Sequence, residues 1–174
     1  MNEINIRDAR ADDAEAVAAI YRPFVTDTAV SFETQAPAPP EMAERIAASQ
    51  RNHAWVVAER SGSVVGYAYG EPHRGRSAYR YSVEISVYVD AECRGCGIGM
   101  SLYRDLFDRL AARGYYNAYV GVTLPNEASL AFHQAAGFRP VGVFRSVGFK
   151  FNSWHDVAWL HRKLKDGLPD DPGG

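Results

Sequence analysis

The stretch with the clearest chemical potential is Tyr88-Val-Asp-Ala-Glu-Cys-Arg94-Gly95-Cys96-Gly97-Ile98-Gly99, in which a strand pattern runs through alternating glycines into a helix pattern. Glycines let backbone N–H groups approach a ligand without interference from a Cβ. The helix start adds the positive end of its dipole, and Arg94 adds a full charge, so the loop suits a pyrophosphate. No Gly-Lys-Ser/Thr follows, which excludes a Walker loop, and the GxGxxG dinucleotide fingerprint is absent. A tight structural turn is the alternative reading of the same glycines. Five residues before the strand ends, Glu84 interrupts an apolar run on the face it shares with Ser86 and Tyr88. A buried carboxyl there has a raised pKa and suits a general base; the competing reading is an ion pair with Arg76, Arg80 or another nearby Arg. His133 lies on an otherwise apolar helix, where an imidazole either packs or moves a proton near neutral pH. Cys93 and Cys96 form a C-x-x-C pair, but no second Cys pair or paired His completes a zinc site, and the redox context is wrong.

The elements that must hold these residues alternate along 174 residues, the length of one domain. Asn5–Arg7 reads as a first strand, and Asp12 with Glu15 as a capping box for a helix carrying Val17, Ala18, Tyr21 and Val25. Pro40 opens a second helix. Residues 54–60 and 64–70 form a hairpin across Ser61-Gly62-Ser63. Along Tyr81–Val89, Val83, Ile85, Val87 and Val89 alternate with Glu84, Ser86 and Tyr88. Ile98, Leu102, Leu106 and Leu110 line one face of a long helix ended by Gly114. Tyr115–Val122 is a further strand, Asn126 caps a helix that closes at Gly137, and two aromatic-rich strands near 138–150 and 154–164 complete the set. This order predicts a mixed α/β (α+β) domain over residues 1–165 with a largely antiparallel sheet, then a flexible tail at 166–174. The net charge of −2 argues against a nucleic-acid module. No apolar run reaches the roughly 20 residues of a membrane span. The polar N-terminus is no signal peptide, so a cytoplasmic protein is expected.

Taken together, Arg94-x-x-Gly97-x-Gly99 after Val87-Tyr88-Val89, then Asn126, then Gly137-Phe138 resembles the GNAT acetyltransferase superfamily over roughly residues 3–164. Phe32-Glu33, Tyr79–Glu84, Leu124-Pro125-Asn126, Leu130 with His133, Gly148-Phe149-Lys150 and Trp154-His155-Asp156 are similar to the phosphinothricin and methionine sulfoximine/sulfone acetyltransferase branch. The resemblance implies the GNAT fold, a sheet splayed between its fourth and fifth strands, and acetyl-CoA as co-substrate with no metal. It implies that Val87, Tyr88 and Val89 hold the pantetheine through backbone groups and that Arg94, Gly95, Cys96, Gly97, Ile98 and Gly99 hold the pyrophosphate. Asn126 and Ser129 would face the cofactor from the other side. Glu84 becomes the base, directly or through water, and the N–H of Val87 or Tyr88 the oxyanion donor. Many members carry a Tyr where this chain has His133, the residue then expected to assist the thiolate's protonation. Carboxylate-bearing acceptors call for planar donors. Arg76 and Tyr79 are therefore the first anchors, Arg74 and Ser77 the next, with Phe32, Ser86, Thr123 and Leu124 walling the pocket. The implied reaction is direct acetyl transfer to the amine of a small amino acid or analogue, by a homodimer. The alternatives are another amine, a peptide N-terminus, or a non-catalytic acetyl-CoA-binding protein.

Overall fold

The computed structural model describes residues 4–170. Its strands form one seven-stranded sheet in the order β1-β2-β3-β4-β5-β7-β6. The strands are β1 (Ile4–Asp8), β2 (Trp55–Arg60), β3 (Ser63–Pro72), β4 (Ser82–Val89), β5 (Asn117–Thr123), β6 (Arg139–Lys150) and β7 (Ser153–Lys163). Every neighbouring pair is antiparallel except β4 and β5. The helices are α1 (Ala14–Thr26), α2 (Pro39–Asn52), α3 (Ile98–Ala112) and α4 (Glu127–Ala135). This is the mixed, mostly antiparallel α/β arrangement that the element order predicted. Among the described residues no helix is long and apolar enough to cross a membrane.

Strand β2 shows why the sheet is covered on both faces: Trp55, Val56, Val57 and Ala58 are all buried rather than alternating. Trp55 and Val57 pack with Val17, Tyr21 and Val25 of α1 and Met42 and Ile46 of α2. Val56 and Ala58 pack with Leu102, Leu106 and Leu110 of α3, the stripe that the helical spacing had marked. The Ser61-Gly62 turn, with both residues at positive φ, joins β2 to β3, and Phe151-Asn152 does the same for β6 and β7.

The start of α1 differs from expectation. The Asp12–Glu15 box does not form; a single 3-10 turn at Ala11–Asp13 precedes the helix. Asp13 instead accepts the Arg10 N–H (2.7 Å) and both terminal nitrogens of Arg7 (2.7 and 2.8 Å). Burial would raise its carboxyl, but these donors outweigh it and hold Asp13 below the ordinary carboxylate range. Residues 1–3 and 171–174, parts of the expected domain and tail, lie outside the described residues. The described part of the tail is not loose throughout, because Tyr116 donates its hydroxyl to the Leu168 carbonyl (2.8 Å).

The feature that creates a site is the mismatch around β4. Its partner β3 pairs with it from Pro72↔Val83 to Gly66↔Val89, whereas β5 pairs only at Ser82, Val83 and Glu84. From Val120 onward β5 continues beside β7 alone. The sheet therefore parts just beyond Glu84, as the sequence resemblance implied.

Candidate active site

Two hollows flank this split. The first, about 440 Å³, lies between the glycine loop and α4 and is lined by Val87, Val89, Cys93, Arg94, Gly95, Gly97, Ile98, Gly99, Ser129 and His133, among others. Gly95 and Gly97 both adopt φ +76, and a Cβ at either would meet nothing within 4 Å. Packing does not require these glycines; the left-handed turn does, and it leaves open space over the backbone. The first turn of α3 has no side-chain cap, so its leading N–H groups face this space without an intrahelical acceptor. Such a cradle fits a phosphate-bearing ligand. Gly99 is different: a Cβ there would press on the Phe132 ring at 3.2 Å, so it lets α4 pack close. Arg94 lies over the Phe24 ring (5.5 Å) at the rim.

Three expectations shift here. Cys96 is exposed and does not line the hollow; Cys93 does, buried and accepting a hydrogen bond from Arg60 (2.8 Å). Ile98 turns its side chain into the core, leaving only its backbone for a ligand. Tyr88 lines the split, but its amide is turned away from it. Asp90 N–H donates to Val65 (2.9 Å), and strand alternation then turns the Tyr88 amide toward β3 and those of Val87 and Val89 into the split. The Tyr88 ring packs on the opposite face against Tyr21 and Phe24, 5.0 Å from each. Of the two candidate oxyanion donors, Val87 N–H is the one that faces the split.

At the bottom of the split Asn126 accepts the Ser129 N–H (3.1 Å) as the cap of α4. His133, 4% exposed, is committed at both nitrogens. A carbonyl only accepts, so Nδ1 carries the hydrogen and donates to Ser129 O (2.7 Å), while Nε2 accepts from Tyr103 (2.9 Å). Burial keeps the ring neutral by lowering its pKa. His133 as placed has no proton free for a thiolate. The residue that sequence reasoning missed is Tyr103, which lines the split beside it and appears in the sequence only as another apolar position of α3.

The second hollow, about 280 Å³, holds Glu84 with Phe32, Glu71, Ser86, Thr123, Phe144 and Trp159. Glu84 accepts from His73 Nδ1 at 2.9 Å. Burial pushes the Glu84 carboxyl up, with Arg74 opposing, and burial followed by Arg74 pushes His73 down. Glu84 is thus paired with His73, not with Arg76 or Arg80 as considered from sequence. His73 is held by stacking on Tyr119 (4.5 Å) and by the edge of Tyr79 (5.6 Å). Phe32 is fixed because its ring lies against Gly148, where a Cβ would collide with it. Lys150 holds the same loop by donating to Val25 O and Ser31 O, both at 2.6 Å.

The anchors divide differently from the sequence expectation. Arg74, Arg76 and Tyr79 line a small hollow of their own, about 290 Å³. Of these, Arg74 is the one whose charge bears on Glu84. Ser77 sits in a 3-10 turn whose carbonyl serves Arg80 (2.9 Å), and it lines none of these hollows. Thr123 reaches the second hollow, but Leu124 packs into the core instead.

A split sheet with a phosphate cradle on one side and a half-buried carboxylate on the other defines an acyl-CoA-type transferase, and the comparisons agree. Residues 16–138 match the Acetyltransferase (GNAT) family, and the chain belongs to it. It is an acetyl-CoA-dependent N-acetyltransferase. It is similar to a phosphinothricin N-acetyltransferase of Streptomyces coelicolor, 37% identical over 93% of this chain and 97% of that one. An L-methionine sulfoximine/L-methionine sulfone acetyltransferase of Pseudomonas aeruginosa is 34% identical, over 92% and 94%. Among solved structures, a phosphinothricin acetyltransferase from Sinorhizobium meliloti in complex with acetyl-CoA superposes with a TM-score of 0.91 at 36% identity, over 97% of this chain and 94% of that one.

Proposed function

We propose that the chain, with residues 1–165 working as one domain, acetylates the α-amino group of a compact amino acid or analogue of the phosphinothricin and methionine sulfoximine/sulfone class. The observation that carries this reading is the position of Glu84, at the point where β4 and β5 separate and in one hollow with Phe32, Ser86 and Thr123. Acetyl-CoA would lie in the split, its phosphates over the α3 start and its pantetheine along Val87 and Val89. The acceptor's carboxylate turns to Arg74, and its ammonium loses a proton to Glu84. The freed nitrogen attacks the thioester carbon, Val87 N–H stabilises the oxyanion, and the C–S bond breaks. The departing thiolate takes the proton that the acetylated nitrogen sheds as the amide forms. A homodimer fits the exposed apolar residues of the outermost hairpin, Val141, Val147, Phe149 and Trp154, and acetyl-CoA supply fits a cytoplasmic setting.

The test is thiol release from acetyl-CoA with phosphinothricin, methionine sulfoximine, methionine sulfone, glutamate, spermidine and a peptide amine. Turnover confined to the first three supports the reading; turnover on spermidine or the peptide alone refutes it. Glu84→Gln should slow transfer by about 10²–10⁴-fold with acetyl-CoA affinity unchanged in calorimetry.

A further inference from the structure

Glu71 is the one acidic side chain of the acceptor region that this mechanism leaves without a task. It stands at the end of β3 directly opposite Glu84, as its Cα partner across the ladder. Directly opposed residues place their Cβ atoms about 5 Å apart on one face. Glu71 lines the Glu84 hollow and also a larger one, about 600 Å³, beneath α1 and α2, so it stands where the two join. The larger hollow is walled by Tyr67, Tyr69 and Trp55, whose rings stack 4.2–5.6 Å apart around Trp55.

The charges around this junction are unequal. Glu33 is paired through Arg45, which donates to both of its oxygens (2.6 and 2.9 Å) and to Glu41. Glu84 has the His73 N–H and the field of Arg74. Glu71 takes no hydrogen bond or ion pair from any described side chain. Glu71 is exposed, yet desolvation of its carboxyl raises it, the charge of Glu84 adds to this, Arg45 opposes it, and Glu33 adds in the raising direction. Like charges so placed disfavour each other's ionised form.

We propose that Glu71 determines specificity in the acceptor site, favouring amino acids whose side chain presents an N–H donor or positive charge and disfavouring those that bring a second anion. This rests on the acetyl-transfer reading above. With the α-carboxylate toward Arg74 and the amine at Glu84, the acceptor's side chain extends past Glu71 toward the aromatic wall. The sulfoximine nitrogen carries an N–H that a carboxylate accepts; a phosphinate brings only negative oxygen.

The experiment compares kcat/KM for methionine sulfoximine and phosphinothricin at about pH 8, in the wild type and in Glu71→Gln. Both acceptors use Glu84, so its contribution cancels in the ratio. The expected result is a wild-type ratio that favours sulfoximine. In Glu71→Gln, phosphinothricin gains about tenfold and sulfoximine changes little. A wild-type ratio that favours phosphinothricin overturns the proposal without any variant. So does equal loss on both acceptors in a Glu71→Gln protein that melts like wild type. Silence of the wild type on both acceptors overturns the acceptor reading and this inference with it, an outcome distinct from active but indifferent turnover.

Discussion

Replacing His73 with Phe tests the assignment of Glu84 most directly. Phe keeps a flat ring to stack on Tyr119 and meet Tyr79, and it removes the one N–H that reaches the Glu84 carboxylate. That donor stabilises the ionised form of Glu84, so its loss raises the Glu84 pKa further above the ordinary carboxylate value. A hydrogen bond to a charged group contributes about 1.5–3 kcal/mol, and one pKa unit corresponds to about 1.36 kcal/mol. The Glu84 side chain is 26% exposed, and water there replaces part of the lost donor, which leaves a rise of about one unit. The base works deprotonated, so the effect has a definite sign. On the acidic limb of the kcat/KM profile the variant should be about tenfold slower, while on the alkaline plateau the two should agree within about twofold. The profile is read by thiol release from pH 5.5 to 9 with saturating acetyl-CoA. An acidic limb that does not move refutes the pairing as a catalytic feature. A uniform loss at every pH instead assigns His73 to shaping the hollow.

Gly97→Val places a β-branched residue at φ +76, which strains the turn and fills the space above the α3 start. Its acetyl-CoA dissociation constant should rise by about tenfold or more, some 1.4 kcal/mol, and wild-type affinity by calorimetry would show the cradle to be misplaced. Asp13→Asn should cost about 2–4 kcal/mol of stability at pH 7 in urea unfolding, because the carboxylate partners of Arg7 and the Arg10 N–H are lost. The folded-state pKa of Asp13 is depressed, so this stabilisation is complete above the unfolded value of about 3.9 and disappears as pH falls through the folded one. The gap between the two proteins should therefore narrow as pH falls below about 3.9, and a gap that stays constant from pH 7 into acid would contradict the ion-pair account.

Much of this protein is written locally. The period-two pattern from Val83 to Val89 and the Ile98–Leu110 stripe name a strand and a helix because each element buries one side chain per repeat. The glycine loop is equally legible, since positive φ at Gly95 and Gly97 is a property of the backbone itself. Glu84 stands out as a carboxyl in an apolar strand. Other features depend on contacts between residues far apart in the chain. Opposing Glu71 to Glu84 requires the β3–β4 register, and joining His73 to Glu84 requires the turn that follows β3. Committing both nitrogens of His133 requires α3 to bring Tyr103 against α4. Which backbone groups enter the split follows from β4 bonding to β3 along its length and to β5 only at its start. Sequence therefore fixes which residues are equipped for chemistry. Their partners, and with them their charge and availability, are decided by how the sheet is paired, because hydrogen bonding and desolvation depend on neighbours a few ångströms away in space.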